Sequence, residues 1–302
     1  MLLGRGPADP LSAPGAPASP HRFRLGPRIG AGAFGEVVRA YDRQRDRWVA
    51  LKRVRTGPEA LAREFGALSA VDHPRVVGAG VWVEGDGWWG YSMDLAEGPD
   101  ARTWVRGPTP VRDETTPRRN LPMAFGQPLR DVGDSAYGMP DERGLGRLRQ
   151  LLRELAEGLE ACHAAGWLHL DVTPENVHVV EGHAVLLDLG LAVERGGALG
   201  RDAYLGSAAY AAPELGARPP TTACDWYSLG VVAFELLLGD RPFEGGGPEV
   251  LVRKQSLAAT PPRELVPEVP RDLDSVCAGL LERSPGRRWD GRRVYEELGP
   301  VR

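Results

Sequence analysis

Two carboxylates and a carboxamide stand in a fixed order in this chain. Asp171 closes the triplet His169-Leu170-Asp171, Asn176 follows in the same loop, and Asp188 heads Asp188-Leu189-Gly190. Oxygen donors of this kind suit a hard divalent cation such as Mg²⁺, which keeps waters and phosphates in the rest of its shell. They also suit phosphoryl transfer. Its transition state spreads negative charge over the γ-phosphate oxygens, so catalysis is mostly positioning and charge neutralisation. One acid would orient the incoming hydroxyl; the other, with the amide, would hold the metal. Alone the three are weak evidence, because Asp and Asn are also ordinary turn residues. Their order relative to features upstream and downstream carries the argument.

Upstream lies Gly30-x-Gly32-x-x-Gly35-x-Val37. Glycines let backbone N–H groups approach phosphates closely. The pattern is unspecific in a chain with 39 glycines, and it recurs at Gly85-x-Gly87-x-x-Gly90, which reads as a hairpin turn between apolar strands. Context separates the first copy from the second. Ile29 and Val37-Val38 flank it, and an apolar strand with Ala50 follows, ending at Lys52. A lone cation in such a strand is expensive to bury unpaired, so Lys52 is expected to point into a cleft and meet anions. Glu64, on a helix expected over 59–71, is the candidate partner. An exposed helix face is the plainer reading of Glu64; its spacing before His73-Pro74 favours the pairing.

With these motifs in order, the chain resembles a eukaryotic-type (Hanks-type) serine/threonine protein kinase of the bacterial kind, from about residue 23 to the C-terminus. Further residues carry the resemblance. Gly206-Ser-Ala-Ala-Tyr210-Ala-Ala212-Pro213-Glu214 is similar to the segment that closes the family's activation loop. Asp225-Trp-Tyr-Ser-Leu229-Gly230 is similar to the start of its buried central helix, and Arg288 stands where the family pairs an Arg with Glu214. The resemblance implies an α+β, two-lobed fold: a β-rich small lobe with one key helix and a mostly helical large lobe. It implies ATP and Mg²⁺ as cofactors. Ile29, Gly30, Gly32, Gly35, Val37 and Ala50 would then surround the nucleotide, with Lys52 on the α- and β-phosphates and Glu64 orienting Lys52. Met93 would gate the back of the adenine pocket, and the backbone of Asp94 and Ala96 would bond the base. Asp171 would act on the substrate hydroxyl, Asn176 and Asp188 would bind the metal, and His169 would be a packed structural residue. Asp225 would anchor the catalytic loop from beneath.

Composition sets bounds. Among 302 residues, 42% are hydrophobic, enough for a substantial core, and the formal net charge is −4. Overall charge gives a nucleic-acid role no support. The three cysteines (Cys162, Cys224, Cys277) cannot form a paired framework and read as buried reduced thiols. No apolar run reaches transmembrane length, so no membrane partner and a cytoplasmic location are expected. Residues 1–22 read as a disordered Pro/Ala/Gly-rich leader, 23–94 as the small lobe and 95–302 as the large lobe. Residues 106–143 lack periodicity and form a surface insertion of roughly 35 residues, long enough to suggest either partner docking or simple disorder. Helical periodicity returns at Leu145 and runs to Cys162. The stretch 226–238 is apolar almost all round, as a buried helix is expected to be.

Three departures from the family pattern stand out. Leu170 replaces the Arg that receives an activation-loop phosphate, and 191–206 contains no Ser or Thr and a single hydroxyl, Tyr204. The two absences agree and imply an enzyme that needs no phosphate there. Thr173 replaces a Lys that contacts the γ-phosphate, a loss worth about a hundredfold in rate by analogy with oxyanion-site donors. Leu189 replaces Phe and keeps an apolar plug. Ser207 favours Ser/Thr over Tyr substrates. Two functions from different classes follow: a protein kinase acting on Ser/Thr of a protein substrate, and a pseudokinase serving as a nucleotide-binding scaffold. A small-molecule kinase of related fold is a third.

Overall fold

The structure is a computed structural model, which describes residues 17–32, 35–108, 138–197, 208–243, 245 and 247–299. The small lobe is a five-stranded antiparallel sheet of order β1-β2-β3-β5-β4, made of β1 (Phe23–Gly32), β2 (Gly35–Asp42), β3 (Arg47–Val54), β4 (Ala79–Gly85) and β5 (Trp88–Asp94). Side chains alternate between faces of a strand. Val49 and Leu51 accordingly enter a cluster with Phe23, Val38, Ala40 and Val83. Ala50 and Lys52 take the opposite face. Register extends that face sideways: Gly30 lies opposite Val37, Val37 opposite Lys52, Lys52 opposite Tyr91, and Ala50 opposite Met93. The second glycine pattern is the β4–β5 turn, as its sequence implied.

Helix α1 (Pro58–Ala70) buries Leu61, Glu64, Ala67 and Leu68 along one stripe. Glu64 therefore faces inward, and the solvated-face reading does not hold. Residues 17–22, expected to be disordered, are ordered in part. The N–H of Ala18 donates to the Trp82 carbonyl on the outer edge of β4, the Ser19 side chain accepts from the His21 N–H, and Arg22 grips the buried Asp42 with two hydrogen bonds (2.7 and 2.6 Å). An open strand edge offers unpaired backbone groups, and composition does not register that offer.

The large lobe is mostly helical: α2 (Ala101–Arg106), α3 (Glu142–Ala164), α4 (Thr222–Leu238), α5 (Gly247–Ser256), α6 (Pro262–Leu265), α7 (Arg271–Leu280) and α8 (Gly291–Leu298). Asp141 caps α3 by accepting from the Gly144 N–H at 2.7 Å, which starts the helix three residues before the apolar pattern does. Helix α4 is buried from Cys224 to Leu238. At Gly230 a Cβ would stand 2.8 Å from the Leu280 Cβ, so glycine lets α4 and α7 cross closely. Short strands carry the cleft floor: β6 (Trp167–Leu168), β7 (Val177–Val180), β8 (His183–Leu186) and β9 (Val193–Glu194). Of the 106–143 insertion, residues 109–137 lie outside the described residues. Among the described residues, no helix is long and apolar enough to cross a membrane.

Among the described residues, the main chain joins the lobes in two places. One join is the chain after Asp94. The other is main-chain pairing of the loop after α1: the Val77 N–H donates to Leu186 O (3.0 Å) and the Leu186 N–H to Arg75 O (2.8 Å). Arg75 also reaches Glu154 and Glu157 on α3.

Candidate active site

Lys52 rises from the cleft face of β3 and is 5% exposed; Glu64 is 4% exposed. The Lys52 Nζ lies 2.6 Å from Glu64 Oε1 and 3.0 Å from Asp188 Oδ1. One cation therefore ties the α1 helix, the β-sheet and the large lobe together. Tyr91, opposite Lys52 on β5, donates its hydroxyl to Glu64 Oε1 at 2.5 Å. The sequence reading missed Tyr91, although its period-two offset from Met93 put it on the same face.

Burial acts against every charge in this cluster. It would lift the Asp188 carboxyl, but Lys52 and the Gly190 N–H hold it below the usual carboxylate range. It would lower Lys52, but the two carboxylates hold that amine above its ordinary value. At Glu64 burial prevails over Lys52 and raises the carboxyl to about 7. Asp188 sits in the left-handed region at φ 54°, a conformation Asp tolerates better than most residues. Leu189 is buried beneath it, 1% exposed. A Cβ on Gly190 would stand 2.9 Å from Asp188 Oδ1, so the chain must be bare there.

Asp171 and Asn176 are held as a pair. The Asn176 Nδ2 donates to Asp171 O (2.9 Å) and Asp171 Oδ2 (2.8 Å). With its nitrogen committed to Asp171, the amide oxygen of Asn176 is the atom left to meet a cation. The Leu187 N–H donates to Asn176 O (2.8 Å), which connects this pair to Asp188 one residue on. Lys52, Asp171, Asn176 and Asp188 thus form one linked set. Asn176 and Asp188 offer Mg²⁺ only two protein groups, both oxygen donors. That fits an ion that keeps several waters and otherwise takes substrate phosphates.

The loop is shaped from below. His169 is fully buried, with Nδ1 accepting from the Asp171 N–H (3.2 Å) and Nε2 donating to Leu187 O (3.1 Å). Those partners define the neutral Nε2–H tautomer and agree with a structural role. Asp225, 0% exposed on α4, accepts from the His169 N–H (2.9 Å), the Leu170 N–H (2.7 Å) and His163 Nε2 (2.7 Å). Burial would raise its carboxyl, and these donors keep it below its ordinary value. Leu170 belongs to the large apolar core and holds φ 61°. Thr173 is buried.

The remaining expected nucleotide contacts line the roof and hinge. Gly30, Val37, Ala50 and Met93 share the face described above. Ile29 falls in a β-bulge between Arg28 and Gly30 and is 51% exposed. Gly32 and Gly35 pair across the β1–β2 turn, and residues 33–34 between them lie outside the described residues. Gly35 has φ 120°, and a Cβ there would meet Arg53 O at 2.5 Å. Two backbone groups of the hinge are already engaged. The Asp94 N–H already donates to Gly78 O (2.9 Å), and the Ala96 carbonyl accepts from His178 Nδ1 (3.2 Å). That leaves the Asp94 carbonyl and the Ala96 N–H to meet a base.

The segment expected to close the activation loop is seen from Ala208 onward; Tyr204 and Ser207 lie outside the described residues. Glu214 and Arg288 form a bidentate pair (2.6 and 2.9 Å). Arg102 on α2, also missed in sequence, donates to Glu175 (2.5 Å), Glu235 (2.7 Å) and the Tyr210 hydroxyl (3.0 Å), while that hydroxyl donates to Glu235 (2.6 Å). It joins the closing segment to the catalytic loop. Nothing near Arg102 or Glu175 in the sequence signals that four separate elements meet there.

Comparison with known proteins identifies the family. The pattern that defines the protein kinase domain matches residues 23–297. Serine/threonine-protein kinase PknF of Mycobacterium tuberculosis is 28% identical over 285 residues, covering 88% of this chain and 53% of that protein. Serine/threonine-protein kinase PknA of the same organism is 28% identical over 280 residues (89% and 58%). Serine/threonine-protein kinase pkn2 of Myxococcus xanthus is 31% identical over 290 residues (88% and 31%). The chain thus spans about half or less of the length of these relatives. On the family pattern and the fold together, the chain belongs to the protein kinase domain family.

Proposed function

We propose that the chain transfers the γ-phosphoryl group of ATP to Ser or Thr of a protein substrate. The observation that carries this reading is the linked set: Lys52 held between Glu64 and Asp188, and Asp188 connected through Leu187 to the Asn176–Asp171 pair. Lys52 would steady the nucleotide's phosphates. Asp171, its carboxylate oriented by Asn176, would accept or orient the proton of the acceptor hydroxyl. Mg²⁺ on Asn176 and Asp188 would neutralise charge on the β- and γ-phosphates. The serine/threonine kinase names of the relatives support the substrate class, and the need for ATP points to the cytoplasm. The 106–143 insertion is offered as a partner-docking segment, and its deletion tests that role.

Transfer of labelled γ-phosphate to a generic protein acceptor is the test. Asp171→Asn is expected to lower the rate at least about a hundredfold, the usual worth of a positioned acid or base. Equal transfer by both proteins would remove Asp171 from the mechanism. The competing reading, a nucleotide-binding scaffold that transfers phosphate poorly, is favoured by Thr173, which is buried and offers no cation to the γ-phosphate. It requires Mg·ATP binding without transfer. The burial of Leu170 in apolar core also argues that activity is independent of an activation-loop phosphate. Phosphatase-treated protein is expected to keep its activity, and loss of activity would contradict this.

A further inference from the structure

The main chain of residues 208–213 enters no regular ladder, yet five of its carbonyls are collected by side chains. The Lys254 Nζ donates to Ala208 O (3.2 Å), Ala209 O (2.6 Å) and Ala211 O (2.8 Å). Ser228 on α4 donates to Tyr210 O (3.0 Å), and Gln255 donates to Pro213 O (3.0 Å). Three of the five acceptors depend on one residue. Lys254 is 1% exposed, and no carboxylate among the described residues is paired with it. An ammonium has three N–H donors, one for each of the three carbonyls.

A buried ammonium without a counter-ion is costly. Burial, with Arg241 nearby, pulls its pKa down to about 7, and the three carbonyl dipoles act in the opposite sense. The Tyr227 ring, 5.2 Å away, adds a further electronegative face. An apolar residue in its place would remove the buried charge but leave the carbonyls of Ala208, Ala209 and Ala211 without their donor. One turn before it, Val250 packs against Ala208, so helix α5 meets the segment through adjacent positions of one stripe. The segment is coupled onward: the Tyr210 hydroxyl bonds Arg102, and Arg102 bonds Glu175 in the catalytic loop.

We propose that Lys254 is a positioning residue for the protein substrate: it folds the backbone of residues 208–213 into the shape against which the acceptor peptide lies beside Asp171. The inference rests on the kinase reading above for the word substrate, and on hydrogen-bond geometry alone for the folding of the segment. Lys254 touches neither nucleotide nor acceptor. Its removal acts on acceptor recognition while the Lys52–Asp188 cluster stays intact.

The full chain is assayed with myelin basic protein as acceptor, as wild type, Lys254→Met and Gln255→Ala, and amide hydrogen exchange of residues 208–212 is read on the same samples. For Lys254→Met we expect kcat/KM for the acceptor to fall about tenfold or more, chiefly through KM, with KM for ATP within about twofold. Exchange at 208–212 should quicken while exchange in α4 does not. Gln255 is exposed and its variant folds in any case; it should shift the acceptor KM about threefold in the same direction. A Lys254→Met protein with unchanged acceptor KM, or with ATP and acceptor constants altered alike, overturns the proposal. So does exchange at the wild-type rate. If Lys254→Met fails to fold, an unchanged acceptor KM in Gln255→Ala has the same force. If wild type transfers nothing, the kinase reading has failed, and the exchange data alone decide whether Lys254 shapes the segment.

Discussion

Glu64 must be ionised to hold Lys52, and its carboxyl sits at about 7 against 4.5 when unfolded. Between those values the folded chain binds a proton that the unfolded chain releases, so stability declines as pH rises from about 4.5 to 7. Activity should run the other way, because the charged pair prevails only above about 7. An acid limb near pH 7 is therefore expected in kcat/KM for ATP. In Glu64→Gln that limb should vanish and the plateau should fall by an order of magnitude or more, about what a misplaced phosphate contact costs. A limb that persists unchanged in Glu64→Gln assigns it to another group. The acids and amide at 171, 176 and 188 were legible in sequence because two share one loop and the third follows a single short hairpin, β7–β8. Tyr91, Arg102 and Lys254 were not. Their partners lie on elements far away in sequence; only Tyr91 leaves a local trace, its period-two offset from Met93.

Among elements, α4 does most to fix the catalytic loop. Its apolar circumference announced burial, and the Asp at its start is intelligible only as a polar group with buried partners waiting for it. Asp225→Ala would strand the N–H groups of His169 and Leu170 and the His163 ring, all buried. Each unsatisfied group costs about 1–3 kcal/mol, so a total loss of about 3 kcal/mol or more is expected in urea unfolding. Asp225→Asn, which keeps an acceptor, should cost less; equal loss from both variants would mean that the charge rather than the bonds matters. Strands were harder to read than helices. β6 and β9 are two residues each, too short to show alternation. The edge pairing of Ala18 depends on a partner strand whose position composition does not contain.

Across the whole molecule, the nucleotide's expected contacts belong to both lobes, with Lys52 above and Asn176 and Asp188 below. A ligand that bridges them binds only the folded chain. At a hundred times its dissociation constant, Mg·ATP should add about 2.7 kcal/mol, which raises Tm by about 5 °C for a domain of this size. Asp188→Ala should abolish the part of that shift that depends on magnesium; an undiminished magnesium effect would place the ion elsewhere. The two-lobed plan itself was readable from motif order. The double join was not, because residues 75–77 meet Leu186 through backbone atoms that any sequence supplies.

That second join sets how the cleft can breathe. Chain continuity after Asp94 and the pairing at Leu186 define two main-chain fixed points, so a swing of the upper half turns about the line between them and is limited by the Lys52–Asp188 contact. Leu187 and Asp188 follow directly from one of those points and lie near the pivot, where a swing displaces atoms least. Gly30 and Ile29, at the far rim, travel most. The mouth can therefore open for nucleotide exchange while the oxygen donors at its root keep their places.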